Sequence, residues 1–96
     1  MCVRLVWTRL ALGDRRSIRN YIANDDKGVA IGLDERFSET AAMLAENPDI
    51  GRGGREPGTR EFVVHQNYLL IYDVTRDTVR GLRVLDAARQ WPQEET

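Results

Sequence analysis

The 96-residue chain predicts an α+β fold. An N-terminal strand and a two-helix antiparallel hairpin pack on a small, mostly antiparallel four-stranded sheet. Three observations carry this. The stretch from Gly58 to Pro92 holds three short apolar runs, FVV, YLLIY and the V-x-x-L-x-V-L of residues 79 to 85, split by polar clusters at 65 to 67 and 75 to 77. Short runs rich in Val, Tyr and Phe and broken by Asn and Asp read as antiparallel strands joined by tight turns. The middle run is apolar on both parities, with Tyr68, Leu70 and Tyr72 on one and Leu69 and Ile71 on the other, so it should be central and covered on both faces. The first half of the chain changes to helical spacing and supplies the cover.

Residues 2 to 7, CVRLVW, alternate well enough for the first strand, with Val3, Leu5 and Trp7 on one face, and that strand is expected beside the last one. Thr8 offers an N-cap hydroxyl. Ala11, Ile18, Tyr21 and Ile22 then form the apolar stripe of a helix ending near Asn24, while Arg15, Arg16 and Arg19 face away. Gly13 weakens this helix by up to about 1 kcal/mol relative to Ala. After the DDKG turn a second helix runs from Val29 to Glu46, its stripe being Ala30, Leu33, Phe37, Ala41 and Leu44. Asn47-Pro48 ends it, because Pro disfavours a helical conformation in the residue before it.

Residues 49 to 60, DIGRGGREPGTR, are rich in Gly and carry Arg52 and Arg55, with Arg60 entering the next strand. The stretch is not a P-loop, lacking the Lys-Ser/Thr ending and a following helix. It reads either as a solvated linker or as an arginine-bearing arm that gains order on a partner or phosphates. The tail QWPQEET is too polar to fold alone, and Trp91 is expected to pack back on the sheet or helix edge.

The totals bound the function classes. Ninety-six residues make one domain, 1–96, which buries only about 60–65% of its unfolded surface. A net charge of −1 gives no sign of a nucleic-acid binder. Every cation except Lys27 is Arg, which suits phosphate and carboxylate recognition, although a GC-rich genome gives the same bias. A single cysteine, Cys2, excludes an internal disulfide and a Cys-based zinc site. No His/Cys/carboxylate cluster has metal-ligand spacing, so neither metal nor cofactor is expected. No apolar run approaches the roughly 18 residues of a spanning helix. Without a signal peptide, the expected location is the cytoplasm, with no membrane partner.

Single residues carry weaker signals. His65 is the only imidazole and sits at a hairpin turn, with no acid/base partner near it in sequence. Tyr68 and Tyr72 read as core rather than as stacking platforms. Arg80 and Arg83 lie on opposite parities of the last strand. One of them should face the helices and pair with an acid such as Glu35 or Glu39, and the other could join Arg60 and Arg89 in an open basic patch. Asp86 reads as a turn or cap residue.

The order strand, helix hairpin, Gly/Arg loop and meander resembles the RelE/ParE superfamily of toxins from type II toxin–antitoxin systems. The resemblance covers nearly the whole chain. It rests on W-T-x-x-A-x-x-D from Trp7, NPDIGRGG from Asn47, GTREFVV-x-x-NYLLIYDV from Gly58 and LRVLDAARQWP from Leu82. It implies a toxin neutralised by a small antitoxin that wraps its surface, the pair meeting operator DNA only through the antitoxin. RelE-like members cut mRNA on the ribosome without a metal, and ParE-like members poison DNA gyrase. The RNA-cutting residues are mostly missing. Arg60 matches one basic position and Arg89 another, but Phe62 and Leu69 stand at two more, Asp86 replaces a common His, and no Tyr or His follows Arg89. The resemblance therefore favours a ParE-like gyrase inhibitor with no chemistry of its own, contacting its target through Arg52, Arg55, Arg60, Arg89 and Trp91. The antitoxin is expected on Leu33, Phe37, Leu44 and Val84. The alternative is a metal-independent endoribonuclease using Arg60, Arg83, Arg89 and His65.

Overall fold

The computed structural model describes residues 4–65 and 68–86. Strand β1 (Arg4–Trp7) leads into helices α1 (Arg9–Ala23) and α2 (Lys27–Glu46), and a single 3₁₀ turn (Pro48–Ile50) follows. Strands β2 (Arg52–Gly53), β3 (Arg60–His65), β4 (Tyr68–Thr75) and β5 (Thr78–Asp86) complete the order. The sheet has five strands in the order β1-β5-β4-β3-β2, not four. The extra one is the two-residue β2, whose glycine-rich surroundings hide it from any propensity argument. The N-terminal strand does lie beside the last strand, as the one parallel pair among the described residues.

Local chemistry accounts for the helix ends. The Thr8 hydroxyl accepts the Ala11 N–H at 3.2 Å and caps α1. The same hydroxyl lies 3.0 Å from the carbonyl oxygens of Gly81 and Leu82, and the Thr8 N–H donates to Gly81. One residue thus starts the helix and holds it against β5. Gly81 has to be glycine, because a Cβ there would come within 2.7 Å of the Trp7 ring. Asp26 caps α2 by accepting the Val29 N–H, and α2 stops at Asn47, before Pro48.

The α2 stripe is as the spacing predicts: Ala30, Phe37, Ala41 and Leu44 are buried and Leu33 is half-buried. Phe37, Leu44, Leu70, Tyr72, Val79 and Val84 make the heart of the core between the helices and the sheet. Burial of each large side chain there contributes about 1.5–3 kcal/mol. β4 is central, and both of its faces are covered: Leu70 and Tyr72 face the helices while Leu69 and Ile71 are buried on the other side.

The α1 stripe differs from expectation at two positions. Tyr21 is 74% exposed, at the end of the helix. Arg15 turns inward: its guanidinium lies 4.6 Å from the Trp7 ring centroid and bonds Asp34 and Ser38 of α2. A long apolar stem with a satisfied head can occupy an inner position that periodicity reserves for Leu or Ile.

Two bulges shift the strand parities. One lies between Val63 and His65, and the other sets Gly81 opposite Tyr72 but Arg83 opposite Ile71. Arg80 (opposite Asp73) and Arg83 therefore share one face, where plain alternation put them on opposite faces.

Candidate functional site

The Gly/Arg loop is fastened to the sheet rather than solvated as a linker. The Tyr72 hydroxyl accepts the Gly51 N–H at 3.0 Å and donates to the Pro48 carbonyl at 2.9 Å. Burial pushes the Tyr72 phenol above its ordinary range, the Gly51 bond and the Arg60 charge opposing. A Cβ on Gly51 would overlap that hydroxyl, so the close approach needs glycine. Arg60 donates to the carbonyls of Gly51 at 2.9 Å and Asp49 at 3.3 Å, and pairs with the Asp49 carboxylate at 3.6 Å. The Glu61 carboxylate, only 3% exposed, accepts from the Arg52 guanidinium and from the Arg55 N–H, both at 3.3 Å. Arg52 keeps 65% of its side chain exposed, and Arg55 is exposed too. The loop thus displays two arginines at the sheet edge from a fixed base.

A second anchor closes the other edge. β1 pairs with β5 only as far as Gly81. Past that point the carboxylate of Asp14 on α1 accepts the Val84 N–H at 3.0 Å and both arms of the Arg83 fork, at 2.7 and 3.0 Å. That bidentate bond holds Arg83 charged more firmly than a free guanidinium. Arg83 does not pair with Glu35 or Glu39. Arg80 pairs with Asp73 of the neighbouring strand.

Between the helices and the β3–β4 end lies a cleft in two lobes that meet at Tyr21 and Tyr68. One lobe, of about 500 Å³, lies along the β5 edge and includes Asp14, Ser17 and Asp86. The other, of about 460 Å³, is more apolar, with Ile22, Val29 and Leu33 beside Arg36 and His65. Tyr68 meets Phe37 edge-on, and the His65 ring centre lies 6.4 Å from it. Burial, then the charge of Asp86, then Tyr21 raise the Tyr68 phenol above its usual range.

The structure distributes the sequence-predicted residues over separate places. Arg52, Arg55 and Arg60 share the loop, with Arg60 turned to its support. His65 sits in the cleft rather than in an open turn, because the β3 bulge puts it opposite Tyr68. Phe62 and Leu69 belong to opposite faces, Phe62 against the core. Of the four positions expected to meet a partner, Phe37 and Leu44 are core residues with 1% and 0% exposure, and exposed surface is what a docking groove needs. Val84 is also buried, although it lines the cleft wall, and Leu33 is half-buried in the other lobe. Arg89 and Trp91, like Cys2, Gln66 and Asn67, lie outside the described residues. Sequence reasoning passed over Asp14 and Glu61 as anchors and Tyr21 and Arg36 as cleft residues. Asp14 had a signal, as the last residue of W-T-x-x-A-x-x-D. Among the described residues no group of His, Cys, Asp or Glu could hold a metal ion, and no helix is long and apolar enough to cross a membrane.

Comparison with known proteins completes the picture. Residues 5–91 match the family model of the ParE toxin of the type II toxin–antitoxin system parDE. The chain is 36% identical over 86 residues to Toxin RelE2 of Caulobacter vibrioides, covering 90% of this chain and 97% of that one. Among solved structures it is similar to a chain of the chromosomal ParDE system from P. aeruginosa, with TM-score 0.77, 22% identity and coverage of 88% and 96%. The isolated E. coli RelE toxin follows the same fold at TM-score 0.58 and 20% identity, with 93% and 88% covered. Coverage of nearly the whole chain by the family model, together with the Caulobacter relative, shows that the chain belongs to the ParE toxin family of type II toxin–antitoxin systems, within the RelE/ParE superfamily.

Proposed function

We propose that the protein is a growth-inhibiting toxin restrained by a cognate antitoxin, and that its target is DNA gyrase, which it blocks by binding. One observation carries the reading against RNA cleavage: the arginines that would hold a phosphate are committed to the chain's own groups. Metal-free RNA cleavage needs fixed cations around the phosphate and a proton donor for the leaving oxygen. Here the Arg83 fork is filled by Asp14, and Arg60 is bound to loop carbonyls and Asp49. Phe62 and Leu69 add no charge, and Asp86 would repel the phosphate. Arg52, which keeps most of its side chain exposed while paired with Glu61, and the exposed Arg55 are, with Arg89 and Trp91, the target-contact residues of this reading.

The endoribonuclease reading has one observation in its favour, His65 lying in a cleft with Tyr68 and Arg36. Expression in a host without the antitoxin separates the two. His65→Ala should stop growth like the parent chain, and Arg52→Ala with Arg55→Ala should not, with circular dichroism confirming the fold. A harmless His65→Ala variant would contradict the proposal.

A further inference from the structure

Glu61 is the one charged side chain that is buried among the described residues, with 3% of it exposed. It stands on β3 opposite Ile71 of β4 and opposite Arg52 of β2, so its neighbour on that face of the sheet is a buried apolar side chain. A leucine would suit the place and would carry no desolvation cost. A buried ion pair often adds no more stability than well-packed apolar residues of similar size. What the carboxylate supplies instead is geometry. One oxygen takes the Arg52 guanidinium and the other takes the Arg55 N–H, both at 3.3 Å, so a single side chain ties down both arginine positions of the loop.

The rest of the loop closes on itself. The Gly54 N–H donates to the Thr59 carbonyl at 2.8 Å, and the Thr59 N–H and hydroxyl both donate to the Glu56 carbonyl, at 3.1 and 2.7 Å. Gly58 turns the chain at φ 82°, and a Cβ on Gly54 would overlap the Thr59 hydroxyl. These bonds shape the tip without touching the Arg52 guanidinium. Glu61 is the one partner of that guanidinium among the described residues, and 65% of the Arg52 side chain stays exposed. A long side chain held by one arm has lost part of its rotamer freedom before it meets anything, which lowers the ordering cost of binding.

We propose that Glu61 is a positioning residue of the target contact. Its buried carboxylate sets the direction of the Arg52 guanidinium and the backbone at Arg55, so the arginine hairpin meets its target already in shape. Glu61 itself is covered and acts through the arginine. The inference rests on the reading of Arg52 as a target-contact residue and adds how that contact is prepared.

The test titrates growth arrest in a host without the antitoxin against toxin level, read by immunoblot, beside the urea midpoint of each purified variant. Glu61→Leu keeps the site apolar and filled and removes both acceptors, while Glu61→Gln keeps the shape and one acceptor oxygen. Glu61→Leu should need about tenfold more toxin for the same arrest, and Glu61→Gln about threefold more, the scale of losing or weakening one charge-assisted bond. Both midpoints should stay near that of the parent. A positioning role has a signature that a structural one lacks: in an Arg52→Ala chain, Glu61→Leu should cost no further potency. Parent potency in both Glu61 variants, or the same loss with and without Arg52, would overturn the proposal and leave Arg52 a contact residue. A loss of potency matched by a collapsed midpoint in both variants would make Glu61 structural only and overturn it as well. If Arg52→Ala arrests growth as the parent does, the contact reading falls and takes the proposal with it. A parent chain that leaves growth normal would sink the toxin reading and everything resting on it.

Discussion

The carboxylate of Asp14 grips Arg83 in a two-pronged hydrogen bond and takes the Val84 N–H with the same Oδ2. This joins α1 to the part of β5 that β1 does not reach. It also occupies the fork of Arg83, as Asp73 occupies that of Arg80 on the same strand. Asp14→Ala would leave a backbone donor and a partly buried guanidinium without this partner. It should cost about 1.5–3 kcal/mol, the range for hydrogen bonds to charged groups. Urea denaturation followed by circular dichroism reads this directly. A loss below 0.5 kcal/mol (roughly the scatter of surface substitutions) would mean the edge is closed by something else.

Tyr72 supports the loop in the same manner. Tyr72→Phe removes the acceptor of the Gly51 N–H and the donor to Pro48. An orphaned buried N–H costs about 1–3 kcal/mol. The pH dependence has a definite sign. The folded phenol has its pKa raised by burial, so above pH ~10 the unfolded chain loses its proton first. Stability should therefore fall as pH rises through that region, and Tyr72→Phe should lessen the fall. Urea midpoints at pH 8 and 10.5 test both statements.

The position of Phe37 yields a sharp contrast. A surface anchor replaced by Ala would lose partner binding and keep the fold. A residue at 1% exposure inside the core should instead lose about 3–5 kcal/mol of stability. We expect Phe37→Ala to melt early or fail to fold, whether or not an antitoxin is present. Retention of the parent melting temperature would show that the core is assigned wrongly.

Gly13 offers a gain. It lies inside α1, and a Cβ added there meets nothing within 4 Å. Gly13→Ala should raise stability by about 0.5–1 kcal/mol through helix propensity and a less entropic unfolded chain. Gly51→Ala, made as the control, should lower it, because the new Cβ overlaps the Tyr72 hydroxyl. A shift of the same sign for both would contradict this reading of the two glycines.

These residues also mark how far the sequence could be read. The α2 stripe, the Thr8 cap and the Asn47-Pro48 stop follow from local rules, and the structure keeps all three. Arg15 did not follow, since periodicity sees a charge where the fold uses an apolar stem across Trp7. Arg80 and Arg83 were set on opposite faces because alternation was carried unbroken along the last strand. A bulge adds a residue to one strand and reverses the alternation beyond it, and no local composition announces it. The loop anchors were illegible because Glu61 and Tyr72 reach it through pairings set by the whole sheet. The candidate site suffered most, for its polar residues lie where these non-local contacts decide.

The proposed block of gyrase, without chemistry of the toxin's own, is read by a supercoiling assay with purified, antitoxin-free protein whose fold has been checked by circular dichroism. Supercoiling should stop and cleaved DNA accumulate, and Arg52→Ala with Arg55→Ala should remove both effects while His65→Ala removes neither. Gyrase running at its normal rate, beside a toxin that still arrests growth, would contradict it and move the target to the translating ribosome.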